Sequence, residues 1–199
     1  MVSAPSGAGK RTILAQAVQQ DPNVEVSVSA TTRTPRNGEV DRQDYFFLDR
    51  DEFCKRIEDG AFVEWAEVHG NLYGTLTDEL TNHLATGKDV VLELDVQGMH
   101  NVRALYPDAV TVFVMPPSLE VLEERLRERD TNTEEDIALR LRNALDEMAA
   151  CHDFDYIIVN DKLADAVADM QAVIRAARCR ASRYAGDTGP APGDPAIQT

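Results

Sequence analysis

Residues 1–12 read Met-Val-Ser-Ala-Pro-Ser-Gly-Ala-Gly-Lys-Arg-Thr, and apolar residues at helical spacing (Ile13, Leu14, Ala17, Val18) follow at once. Gly7, Ala8 and Gly9 carry little or no side chain, so backbone N–H groups can turn inward around a ligand. The N-terminus of the helix adds a partial positive charge, and Lys10 adds a full one. A small-residue loop that opens a helix and ends in lysine is a cradle for phosphates. The loop departs from the usual Gly-x-x-x-x-Gly-Lys-Ser/Thr pattern twice. Ala4 takes the place of the first glycine, and Arg11 takes the place of the hydroxyl residue that normally serves Mg²⁺, leaving Thr12 one position late. On these residues alone, an ordinary glycine-rich turn before a surface helix stays open.

Such a cradle needs a parallel sheet behind it, and the chain supplies the strands. Asp89-Val90-Val91-Leu92-Glu93-Leu94-Asp95 reads as a buried strand ending in two acids, Ala109–Met115 as another and Phe154–Val159 as the last. Val24–Ser29 alternates like a strand. Only Met1, Val2 and Ser3 precede the loop, so its leading strand is very short or the start has been cut. The first helix runs on to Gln20. Ser118 caps a helix with Leu119, Leu122 and Leu126 at helical spacing. Thr133, followed by Glu134, Glu135 and Asp136, starts another that runs to about Ala150, and Lys162–Tyr184 reads as a long closing helix. Strands alternating with helices predict an α/β fold, a parallel sheet core flanked by helices.

Residues 30–80 break that alternation with elements of their own. Tyr45–Leu48 is strand-like, and Asp49–Gly60 is helical with Phe53 and Ile57 on one face. Phe62–Val68 is a strand, Gly70-Asn71 a turn, and Thr77–Ala85 a helix capped by Thr77. This stretch reads as a small α+β lobe. Residues 185–199, rich in proline and glycine and without an apolar face, read as a disordered tail.

The bulk properties exclude several classes. No apolar run reaches transmembrane length, no signal peptide is visible, and no membrane association is expected. Cys54, Cys151 and Cys179 lack metal-type spacing, which points to reduced thiols and a cytoplasmic setting. The net charge of −15 argues against nucleic-acid binding. Anionic ligands would therefore need positive charge gathered locally. His69, His83, His100 and His152 are scattered and take no role.

Several further motifs carry a resemblance. Ser27-Val28-Ser29-Ala30-Thr31-Thr32-Arg33-Thr34-Pro35-Arg36, then Gly38-Glu39 and Asp44-Tyr45, closely resemble the nucleotide-binding segment of guanylate kinases. Glu64, Tyr73-Gly74-Thr75 and Leu92-Glu93-Leu94-Asp95-Val96-Gln97-Gly98 continue it in the family's order. Arg129 and Arg140 fall in the lid pattern, and Val159-Asn160-Asp161 looks like the adenine-side strand end. The resemblance covers about residues 2–184.

It implies a P-loop core (1–29, 81–125 and 146–184), a GMP-binding lobe (30–80) and a helical lid (126–145). It implies transfer of the γ-phosphoryl group of ATP to GMP or dGMP, in purine nucleotide metabolism. Mg²⁺ comes with ATP and is held mainly through nucleotide phosphates, with no protein ligand certain. The ATP side is assigned to Ser3, Ala4, Pro5, Ser6, Gly7, Ala8, Gly9, Lys10, Thr12 and Asn160, and the GMP side to Ser29, Arg33, Arg36, Tyr45, Glu64, Tyr73, Thr75 and Asp95. Lys10, Arg129 and Arg140 take the catalytic roles. Protein partners stay open.

The chemistry of these residue types agrees. Guanine presents two neighbouring donors, N1–H and the exocyclic amine, which one carboxylate such as Glu64 accepts together. Adenine would leave that carboxylate unpaired, which discriminates strongly. Arg33 and Arg36 can clamp a phosphate bidentately. The attacking oxygen of GMP is already anionic, so no general base or covalent intermediate is needed. Arg11 is expected to turn outward or to pair with Asp95 or Glu93. Asp130 and Arg42 stand where the family usually has glycine. Two other readings stay open: a weakened or inactive guanylate-kinase-like module that binds GMP or a protein, and a kinase for another nucleoside monophosphate.

Overall fold

The computed structural model describes residues 1–68, 70–128 and 133–184. In chain order the elements begin with β1 (Val2–Ser3), α1 (Lys10–Gln19), β2 (Val24–Val26), β3 (Ala30–Thr31), β4 (Phe46–Phe47) and α2 (Arg50–Glu58). There follow β5 (Phe62–Val68), β6 (Asn71–Leu76), α3 (Thr77–Ala85), β7 (Asp89–Val91), α4 (Val96–Leu105) and β8 (Val112–Met115). The chain continues with α5 (Leu119–Arg127), α6 (Glu134–Ala149), β9 (Tyr156–Val159) and α7 (Leu163–Arg178).

The core sheet is parallel. β2 pairs with β7, and β1 with β8, which pairs with β9. The chain just past β7 joins the two groups: Val2 N–H donates to Leu92 O at 2.8 Å, and Leu94 N–H donates to Val2 O at 3.1 Å. The spatial order is therefore β2-β7-β1-β8-β9, with the two-residue β1 at the centre.

The alternation of β8 shows how the layers form. Val112 and Val114 point to one face, where α1 (Ile13, Leu14, Ala17) and α7 (Ala166, Val167, Met170) cover them. Phe113 points to the other, against Met99 of α4, Cys151 and Phe154. Its ring meets that of Phe154 edge-on at 5.1 Å. Burying a side chain of this size contributes about 1.5–3 kcal/mol.

Residues 30–76 carry a second sheet in the order β4-β3-β6-β5. It has its own core of Ala30, Phe53 and Leu72, with the Phe53 and Phe62 rings stacked at 4.4 Å. β5 and β6 form an antiparallel pair whose register shifts between Phe62 and Glu64 and sets Glu64 opposite Thr75.

Ser118 caps α5 through Val121 N–H at 3.3 Å, and Thr133 with Asp136 forms the capping box of α6. Thr77, read as a cap, is instead the first residue of α3, which has no side-chain cap. The closing helix stops at Arg178, because the polar run Cys179-Arg180-Ala181-Ser182-Arg183 brings nothing to bury against the sheet. β3, β6 and α4 are elements beyond the sequence reading. Among the described residues no helix is long and apolar enough to cross a membrane. The tail reading (185–199), Arg129 and Asp130 lie outside the described residues.

Candidate active site

A cleft of about 360 Å³ opens between the carboxyl ends of the core strands and the smaller sheet. One wall is the loop from Ala4 to Gly9. Gly7 and Gly9 have φ of +98° and +91°, a left-handed backbone that suits glycine. A Cβ on Gly9 would lie 2.3 Å from Asn160 Nδ2, so the position also has no room for one. That amide nitrogen donates to Ala8 O at 2.7 Å and pins the loop from beneath. Asn160 is itself held by its N–H on Met115 O at 2.8 Å.

The loop runs into α1, whose first turn holds no acid and whose end has no side-chain cap. Its partial positive charge is therefore open to an anion. Lys10 Nζ lies 3.6 Å from Glu93 Oε2. From α6, Arg140 Nη1 donates to Ser6 Oγ at 3.0 Å, so this arginine already sits on the loop. Glu147, on the same helix, lines the same wall. Burial pushes its carboxyl up to about 7, Asp95 adds to the rise, and Lys10 and the Ser6 N–H oppose it. Arg125 Nη2 donates to Asn160 O at 3.1 Å.

The opposite wall belongs to the second sheet. Glu64 is 8% exposed, and its Oε1 accepts from Thr75 Oγ1 at 2.9 Å. Burial pushes its carboxyl up to about 7, against the Thr75 hydrogen bond and with help from the charge of Asp95. Asp95 lies beside it and caps α4 through Gly98 N–H at 2.7 Å. Arg33 Nη2 donates to both oxygens of Glu39, at 2.8 and 2.9 Å, and Arg36 N–H donates to Glu39 Oε2 at 2.7 Å. The Arg33 guanidinium also lies 5.4 Å from the centre of the Tyr45 ring, which meets Tyr73 edge-on at 6.2 Å.

The cleft thus gathers Ala4, Pro5, Ser6, Gly7, Gly9, Lys10, Thr12 and Arg140 on one side, and Ser29, Arg33, Arg36, Tyr45, Glu64, Tyr73 and Asp95 on the other. Ser3, Ala8, Thr75 and Asn160 sit one layer behind. Ser3 Oγ reaches Asp95 O at 3.4 Å, while Thr75 holds Glu64 and Asn160 holds Ala8. Arg129 lies outside the described residues.

Sequence reasoning missed Glu39 as the hub of the arginine wall and gave no sign of Glu147, one acid among several on α6. Arg11 differs from its expected pairing. Lys10 occupies Glu93 and the α4 N-terminus engages Asp95, and Arg11 pairs instead with Asp44, with Glu39 at 4.0 Å. Chemically the arrangement offers two anion-binding walls facing each other, with a buried carboxyl beside one of them.

Known proteins resemble this chain in sequence and fold. A family model described as guanylate kinase matches residues 1–177. A guanylate kinase of Carboxydothermus hydrogenoformans is 47% identical over 183 residues, covering 92% of this chain and 90% of that one. One of Aromatoleum aromaticum is 49% identical over 180 residues, covering 90% and 88%. The crystal structure of guanylate kinase from Anaplasma phagocytophilum superposes with a TM-score of 0.74 at 32% identity, covering 92% of this chain and 86% of that one. Matched by that family model over residues 1–177 and by such relatives along nine-tenths of its length, the chain belongs to the guanylate kinase family.

Proposed function

We propose that this protein is an ATP:GMP phosphotransferase that gives ADP and GDP, with dGMP as a second acceptor. The observation that carries the reading is the facing of two walls across one cleft: the Ala4–Lys10 loop with Arg140, and Glu64–Thr75 with Arg33, Arg36, Tyr45 and Tyr73. ATP lies with its phosphates in the loop, and GMP lies with guanine on Glu64 and its phosphate on the arginines and tyrosines. Residues 30–80 are then the GMP-binding lobe and 126–145 the lid, which holds Arg140 on the loop and carries Arg129 for the transferring group.

A phosphate oxygen of GMP attacks, already ionised. The protein's work is to align it and to neutralise charge with Lys10 and the arginines. Thr12, Glu93 and Asp95 line the cleft and are oxygen donors of the kind a hard divalent cation takes. Mg²⁺ brought with ATP, held mainly by phosphates, would supply further charge neutralisation there. The free thiols Cys54, Cys151 and Cys179 suit a reducing cytoplasm.

The test is ADP release with GMP, dGMP, AMP and UMP, with and without Mg²⁺. GMP and dGMP should turn over with Mg²⁺, and AMP and UMP at least ~100-fold more slowly. GMP binding without turnover would return the chain to a binding module, and preferred turnover of AMP or UMP would make it a different kinase.

A further inference from the structure

Arg11 follows Lys10 directly, yet its side chain leaves the donor wall. It crosses the mouth of the cleft and pairs with the Asp44 carboxylate, with Glu39 Oε1 4.0 Å away. Both acids already brace the segment that carries the acceptor wall. Glu39 fastens Arg33 and the Arg36 backbone. Asp44 accepts from Val40 N–H at 2.8 Å and closes the turn that leads into Tyr45. In that turn Arg42 has φ of +63°, a conformation that a non-glycine side chain holds only where its surroundings impose it. The contact therefore lands on the two residues that fix Arg33, Arg36 and Tyr45.

We infer that Arg11 is a positioning residue for the acceptor, tying the donor-phosphate loop to the loop that carries the acceptor-phosphate clamp. The inference rests on the phosphotransferase reading of the cleft and adds to it. A direct link between the two phosphate-binding loops holds the acceptor-phosphate clamp in place before GMP arrives, so its loss weakens GMP binding and leaves the chemical step nearly unchanged. The side chain of Arg11 is 56% exposed, so the link is modest and sensitive to salt.

The experiment compares wild type with Arg11→Ala, Arg11→Lys, Asp44→Asn and the Arg11→Ala/Asp44→Asn double variant. Asparagine keeps an acceptor for Val40 N–H and loses the charge. At low salt Arg11→Ala should raise KM for GMP about three- to fivefold, with KM for ATP and kcat within about twofold. Arg11→Lys should recover most of the loss. Asp44→Asn should match Arg11→Ala, the double variant should cost no more than the larger single, and about 0.5 M salt should erase the differences. An unchanged KM for GMP, a rise in KM for ATP instead, or additive single effects would overturn the inference. Calorimetric GMP affinities of the same variants separate it from the phosphotransfer reading. Wild type that binds GMP without turnover fails that reading, whereas equal GMP affinity in wild type and Arg11→Ala fails this one.

Discussion

Glu64 is the residue on which acceptor choice turns. Its carboxyl is buried against Thr75 and is pushed up to about 7 in the free protein. Guanine's two donors need the ionised form, so binding must pull its proton off. Below about pH 7, kcat/KM for GMP should fall about tenfold per pH unit, alongside the second ionisation of the GMP phosphate near ~6. Glu64→Gln should remove the step near 7 and lower kcat/KM for GMP about 10- to 200-fold. A profile unchanged by the substitution would separate Glu64 from guanine. The sequence reached this residue only through the resemblance, because one acid on a seven-residue strand looks like any solvated acid. What distinguishes it is the shifted register of β5 and the hydroxyl opposite.

The loop and the helix it opens form the next scale. Gly9 combines a φ of +91° with the Asn160 amide at the place where a Cβ would stand. Gly9→Ala must therefore displace Asn160 and break its bond to Ala8. ATP affinity should drop at least tenfold while GMP affinity is retained, as calorimetry with each nucleotide would show. Equal losses for both would mean that the loop has no private role in donor binding. This element was legible because small residues, lysine and helical spacing are local signals. The caps at Ser118 and Thr133 were legible for the same reason. α4 was not: Gly98, His100 and Asn101 are weak helix formers, and its cap, Asp95, reads first as a site acid. β6 was not either, since Asn71 and Gly74 disfavour strands and only pairing with β5 and β3 makes it one.

For the whole molecule, buried Glu64 and half-buried Glu147 link the site to stability. Glu64 and Glu147 keep their protons in the fold to about 7, whereas in the unfolded chain they ionise near 4.5. Between those values the folded state holds more protons, so their contribution to stability is present below about 4.5 and is lost as pH rises through 7. Glu147→Gln stays neutral and keeps an acceptor for Ser6 N–H. Its melting temperature should exceed that of wild type above pH ~7, and the gap should close toward pH ~5. A constant gap would contradict the assignment. The parallel order of the core was legible because buried strands are continuous apolar runs. How the walls meet was not, because Glu39, Asp44 and Arg11 face one another only once both sheets are assembled.

The central claim is that a phosphoryl group passes from the P-loop wall to the acceptor wall of one cleft. The most direct measurement is ³¹P NMR of ATP, GMP and Mg²⁺ with a catalytic amount of the protein. The ATP γ-phosphorus signal should fall as GDP and ADP signals grow in equal amounts, with no inorganic phosphate. Release of the γ-phosphoryl group only as inorganic phosphate, or a static spectrum while GMP is bound, would contradict it.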